Sequence, residues 1–172
     1  DDAQSTNTTK RKRNTIIIMN QYTELLKYLK TLAERYGANT VTKDAPDSID
    51  LEKTNIYPLV NISIANGSFS NGSTINFNVA IEAITNRDKN NTVINDKFYG
   101  NDNEIDNYND TLAIINKMWT AMYRDFEENN ITASESPSFE KISLEGVNML
   151  DGWELSFDVE VPNTTLNLCG IC

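Results

Sequence analysis

The chemistry available to this chain is almost entirely carboxylate chemistry. In the stretch LDGWELSFDVEVPN, residues 150–163, Trp153, Leu155, Phe157, Val159 and Val161 alternate with Glu154, Ser156, Asp158 and Glu160. A two-residue period puts the first set on one face of an extended strand and the three acids on the other. Side chains two apart on a strand stand about 7 Å from one another, a separation compatible with the acid and base of a glycosidase. No aromatic sugar platform accompanies them, and nothing in the sequence would raise one carboxyl's pKa above its neighbours'. Glu154, Asp158 and Glu160 are therefore read as an acidic face, no catalytic residue is assigned, and the chain is expected not to be an enzyme.

Other chemistries are excluded by composition. The 172 residues contain no histidine, which removes histidine-based nucleophile activation, histidine acid–base catalysis and His-bearing zinc sites. The EF-hand pattern is nowhere completed; YGNDNEIDNYND, residues 99–110, comes closest, and its Glu104 and Asp106 suit the first turn of a helix, where the macrodipole favours anions. Phosphate-binding and dinucleotide glycine motifs are absent, and neither a cofactor nor a metal is expected. Cys169 and Cys172 fall in a closing CGIC that lacks the helix context of a redox pair; residues 169–172 are read as a flexible tail. The formal net charge of −10 argues against a groove that grips nucleic acid, while leaving room for a surface that nucleic acid slides past. No apolar run approaches the roughly 18 residues of a membrane span.

The elements that must position the acidic strand can be read from periodicity. Residues 1–18, with the basic cluster Lys10–Arg13 followed by only three isoleucines, are read as an extension or disordered arm and not as a secretory signal. Without export, the N-x-S/T sequons at Asn61, Asn66, Asn71, Asn130 and Asn163 are not expected to carry sugar. A single domain is expected over residues 19–168. From Met19 to Tyr36, Tyr22, Leu25, Leu26, Leu29, Leu32, Ala33 and Tyr36 follow the helical period, with Gly37 as a stop. Asn39–Asn55 reads as a loop. Alternating Val60, Ile62 and Ile64, then NGSFSNGS, then Ile75, Phe77, Val79, Ile81 and Ala83 predict a hairpin of two long strands with a glycine-rich loop. TVINDKF, residues 92–98, would add a short strand or an irregular edge. A second helix is predicted over 104–128 from Ile105, Tyr108, Leu112, Ile115, Trp119, Met122 and Phe126, with Asn103 as its cap. A second hairpin follows, with Ile142 and Leu144 pointing inward and the final strand opening after Gly152. The expected fold is α+β: two amphipathic helices packed on a mostly antiparallel, bent sheet, in the order helix, two or three strands, helix, two strands.

Four segments, MNQYTELLKYLKTL, NGSFSNGSTINFNVAI, DKFYGNDNEIDNYNDTLAIINKMW and LDGWELSFDVEVPNTTLNLC, give the chain from Met19 onward a resemblance to the small tail-terminator or tail-completion proteins that join head to tail in tailed bacteriophages. The asparagine- and isoleucine-rich usage is similar to that of phages of Bacteroidetes-type hosts. The resemblance implies a non-enzymatic virion protein, assembled in the bacterial cytoplasm, that forms a homo-oligomeric ring, commonly a hexamer. Such a ring contacts the tail tube and the neck or portal proteins, caps tube growth and lets DNA pass without tight binding. Glu154, Asp158 and Glu160 would then belong to an acidic lumen, and Phe69 and Asn71, in NGSFSNGS, to a contact loop. The alternative reading is a secreted or surface carbohydrate-binding module with Phe69 at its binding tip; binding of glycans by a monomer would favour it.

Overall fold

The structure, a computed structural model, describes residues 21–44, 56–70, 72–88, 103–129, 131–144 and 149–163. Helix α1 (Gln21–Arg35) turns its Leu25, Leu29, Leu32 and Ala33 stripe into the protein, with Leu25, Leu29 and Ala33 fully buried. Burying each leucine contributes about 1.5–3 kcal/mol. Gly37, at φ +113°, ends the helical segment in a conformation that a side chain would strain. Strand β1 (Thr40–Lys43) follows immediately, within the stretch read as a loop. Four residues are too few to show a period, and this one is defined by pairing: it runs parallel to the start of β2 (Leu59–Ser70), matching Thr40 to Leu59 and Lys43 to Ile62.

Strands β2 and β3 (Thr74–Asn86) form the expected antiparallel hairpin. The segment NGSFS is not loop, however. A register shift between Ile64 and Asn66 absorbs one residue, and Asn66–Ser70 continue β2, paired with Thr74–Asn78. A bulge of this kind resets which side chains face inward, so strict alternation stops at Ile64 although the strand does not. The turn itself is short and carries Gly72 at φ +73°.

Helix α2 (Glu104–Glu128) has the predicted bounds; of the predicted stripe Tyr108, Ile115, Met122 and Phe126 are buried, with Ile114 and Met118 beside them, while Ile105 in the first turn is exposed. Asn103 holds the N-cap position but makes no side-chain cap bond; its Oδ1 accepts instead from the Asp88 N–H at 2.8 Å. The chain then forms β4 (Thr132–Ala133), β5 (Ser138–Leu144) and β6 (Leu150–Pro162). Both β4 and β5 pair antiparallel with the same side of β6, at opposite ends, so the six-stranded sheet has the order β1-β2-β3-β6 with β4 and β5 sharing the last place. The α+β class and the two helices on a mostly antiparallel sheet are as expected; β1 and β4 are additions.

Both helices cover one face of this sheet. Their stripes enclose Val60, Ile62, Val79, Ile81, Leu155, Phe157, Val159 and Val161 in one core. Ile142 departs from the expected orientation: it packs on the opposite face, in a small cluster with Tyr57, Leu59, Ile84 and Leu150. The pairing explains this, because Ile142 lies directly opposite Gly152, on the face of Leu150 and not of Trp153. Leu144 pairs with Leu150 at the end of the strand, and its side chain lies outside what the structure describes. Gly152 is thus inside β6 and not ahead of it; a Cβ there would lie 2.0 Å from the Ala83 carbonyl oxygen and 2.9 Å from the Ile84 Cα.

TVINDKF, Asn71, Cys169, Cys172 and residues 1–18 lie outside the described residues. Two substitutions test the packing. Phe157→Ala should lower stability by about 3–5 kcal/mol in urea denaturation, because its ring is 3% exposed. Gly152→Ala should cost about 1–3 kcal/mol despite adding one methyl group, because it must push the β3 backbone away.

Candidate functional surface

The strand pairing assembles a surface that no single segment of sequence displays. Glu154 on β6 lies directly opposite Glu82 on β3 and directly opposite Glu140 on β5, so three glutamates stand in a row across three adjacent strands. Directly opposed side chains have Cβ atoms about 4.5–5.5 Å apart, and like charges in that relation are destabilising. Further along β6 on the same face come Ser156, Asp158 opposite Asn78, and Glu160 opposite Asn76 on β3 and Thr132 on β4. The three carboxylates expected from sequence therefore do share a face, and Glu82 and Glu140 join them. The signal for Glu82 was present in its phase, out of step with Val79, Ile81 and Ala83; Glu140 needed the register of β5.

Each of four acids is held by an uncharged donor. The Asn61 amide donates to Glu82 at 2.8 Å, the Ser156 hydroxyl to Glu154 at 2.8 Å, the Asn78 amide to Asp158 at 3.1 Å, and the Thr74 hydroxyl to Glu160. These contacts orient the carboxylates and leave their charge intact. Among the described residues, no lysine or arginine forms an ion pair with any of the five. The strand lysines Lys43 and Lys141 sit opposite Ile62 and Trp153, on the helix-covered face. The remaining positions of the acidic face on β2 and β3 are largely amides and hydroxyls: Asn61, Ser63, Asn66, Ser68, Asn76, Asn78 and Thr74. Among the described residues, no group of three or more metal-ligating side chains converges.

Phe69 lies elsewhere. It pairs with Ile75 on the helix-covered face, at the turn end of the hairpin, and is 77% exposed. The expected contact residue and the expected acidic face are thus on opposite sides of the sheet.

One buried carboxylate has a different role. Asp151, the first acid of β6, is fully buried on the helix side. It accepts from Arg87 Nε at 2.8 Å and also from Arg87 Nη2, from Asn107 Nδ2 at 3.2 Å, and from the Tyr108 hydroxyl at 3.1 Å. Burial alone would raise its pKa; the Arg87, Asn107 and Tyr108 donors and the Arg87 charge together outweigh that and hold the carboxyl below its ordinary value. Glu104 lies 3.2 Å from Arg87 and 3.4 Å from Lys141, whose ammonium sits 3.9 Å from the centre of the Tyr108 ring. The Trp153 indole N–H donates to the Tyr108 carbonyl at 2.9 Å. This network ties the first turns of α2 to the end of β3, to β5 and to the start of β6, and so fixes the strand that carries the acidic row. Asp151 lies inside β6 and not ahead of it, and nothing in its sequence surroundings marks it as buried.

No protein-family model and no curated protein sequence matches this chain.

The two kinds of carboxylate predict opposite mutational signs. Glu154→Gln keeps an acceptor for Ser156 and relieves repulsion from Glu82 and Glu140, so stability should rise by about 0.2–1 kcal/mol, with the gain shrinking as salt is added. Asp151→Asn should cost about 3–5 kcal/mol at pH 7, since it removes the buried anion on which Arg87, Asn107 and Tyr108 converge. Because the folded pKa of Asp151 is depressed, its contribution is present above the unfolded pKa of about 3.9 and is lost as pH falls through the lower folded value. The gap between wild type and Asp151→Asn should therefore narrow below about pH 4, measured by urea denaturation at pH 7 and pH 3.

Proposed function

We propose that this chain is a non-enzymatic structural subunit of a tailed-phage virion, forming a homo-oligomeric ring at the head–tail junction through which DNA passes. The observation that carries the reading is the composition of the open sheet face. Glu82, Glu140, Glu154, Asp158 and Glu160 share it, and the lysines of the described strands fall on the other side. Opposed glutamates cost stability, and a face kept for stability or solubility alone gains nothing from placing three in one row. A surface past which a polyanion must move without adhering has a direct use for them, since negative charge repels phosphates and the described strands offer no lysine or arginine on this face where they would lodge.

The sheet also supports assembly. Among the described residues, the outer edge of β2 beyond Ile62 and the outer edge of β5 have no strand partner. Strand edges left in this state are the usual sites of pairing between chains. The resemblance of residues 19–169 to head–tail joining proteins supplies the location, and the tail tube and the neck or portal proteins are the neighbours it implies.

The lumen assignment is tested by reversing charge. A Glu154→Lys, Asp158→Lys, Glu160→Lys variant should fold, because Asp158 is exposed and the other two are half-buried at a solvent-facing surface. It should assemble into particles whose genome delivery is reduced at least tenfold and which bind DNA in gel-shift assays, whereas wild type does not. Normal delivery by the triple variant would remove the lumen role of this face.

A further inference from the structure

The helix-covered side of the sheet has a second feature. Between α2 and β5 lies a cavity of about 550 Å³ walled by Leu112, Asn116 and Trp119 of the helix and by Pro137, Phe139 and Leu155. Phe139 is 57% exposed at its rim, and Tyr123, whose ring lies tilted 6.1 Å from that of Trp119, is 53% exposed. None of the residues lining the cavity is charged. On the same face, at the far edge of the sheet and the turn end of the β2–β3 hairpin, stands Phe69, the most exposed large apolar residue of the described chain.

We propose that Phe69 of one copy seats in the α2–β5 groove of a second copy, so that subunits join head to tail. This rests on the assembly reading above and specifies its contact. Phe69 cannot fill its own groove. It lies in the row Phe69–Ile75–Val161, six residues along β6 from Leu155 and two strands away from β6, a separation of roughly 20 Å at about 3.3 Å per residue. Charge selects a second copy as the occupant. A chain of net charge −10 repels its own kind over most of its surface. Residues 59–81, which include all of β2 and the turn half of β3, contain no Asp, Glu, Lys or Arg, although such residues make up 23% of the chain. The uncharged hairpin and the uncharged groove are therefore surfaces that two copies can bring together without repulsion. The hairpin also lacks the lysines and prolines with which exposed edges are ordinarily protected. Because the knob and the groove are different surfaces, the contact is heterologous, and it closes into a ring when the rotation between neighbours closes.

The test uses the full chain. A benzoylphenylalanine photo-cross-linker at position 69, irradiated in a mixture of isotope-labelled and unlabelled protein, should give cross-links between copies that map to residues 112–119 or 137–139. Phe69→Ser and Phe139→Ser, both at exposed positions, should keep the wild-type fold and each raise the concentration needed for association at least tenfold. The double variant should add little to either single one, as expected when both remove the same contact. If the chain associates but both variants do so at wild-type concentrations, and cross-links map elsewhere, this contact is overturned and the assembly reading stands. If wild type stays monomeric at millimolar concentration, the assembly reading fails and this contact fails with it.

Discussion

The structure depends on the two-residue alternation of β6. This strand pairs with β3 along its whole length and with β4 and β5 on its other side, so its phase decides the phase of everything beside it. Leu155, Phe157, Val159 and Val161 face the helices and are nearly inaccessible, while Glu154, Ser156, Asp158 and Glu160 face away. Slipping the register by one residue would put three carboxylates into the core, at several kcal/mol each. The hydrophobic core and the acidic surface are thus two consequences of one constraint.

The buried network around Asp151 supplies the second constraint, of a different kind. Alternation sets which face a side chain takes but does not set where α2 begins relative to the sheet. Arg87, Asn107 and Tyr108 all reach the same carboxylate, so the end of β3, the first turns of α2 and the start of β6 are located against a single buried charge. Such a group is costly to bury and costly to leave unpaired, which makes alternative dockings of the helix unfavourable.

Much of this was legible in sequence, for identifiable reasons. The helices announced themselves because their apolar stripes span several turns, as Leu25 to Leu32 and Ile115 to Phe126 do. The strands β2, β3 and β6 showed long alternation. What escaped were features decided by distant partners. Strand β1 exists through its pairing with β2; Asn66–Ser70 belong to β2 because a bulge restores pairing after alternation ends; Ile142 faces away from the helices because it lies opposite Gly152. The acidic surface was half legible: Glu154, Asp158 and Glu160 follow from one strand's period, while the row they form with Glu82 and Glu140 follows only from register. Asp151 gave no sign at all, since a single aspartate beside a glycine reads as a turn.

Among the described residues, the sheet has its helices on one side, edges of β2 and β5 without a strand partner, and five carboxylates without ion pairs on the other side, the features on which the proposed assembly rests. The proposed assembly into closed rings can be measured directly. The most direct measurement is sedimentation velocity over a range of concentrations combined with negative-stain imaging of the purified full chain. The account predicts a discrete oligomer and ring-shaped particles with a central opening and uniform rotational symmetry. A single monomeric species at every concentration, with no ring in the images, would contradict it.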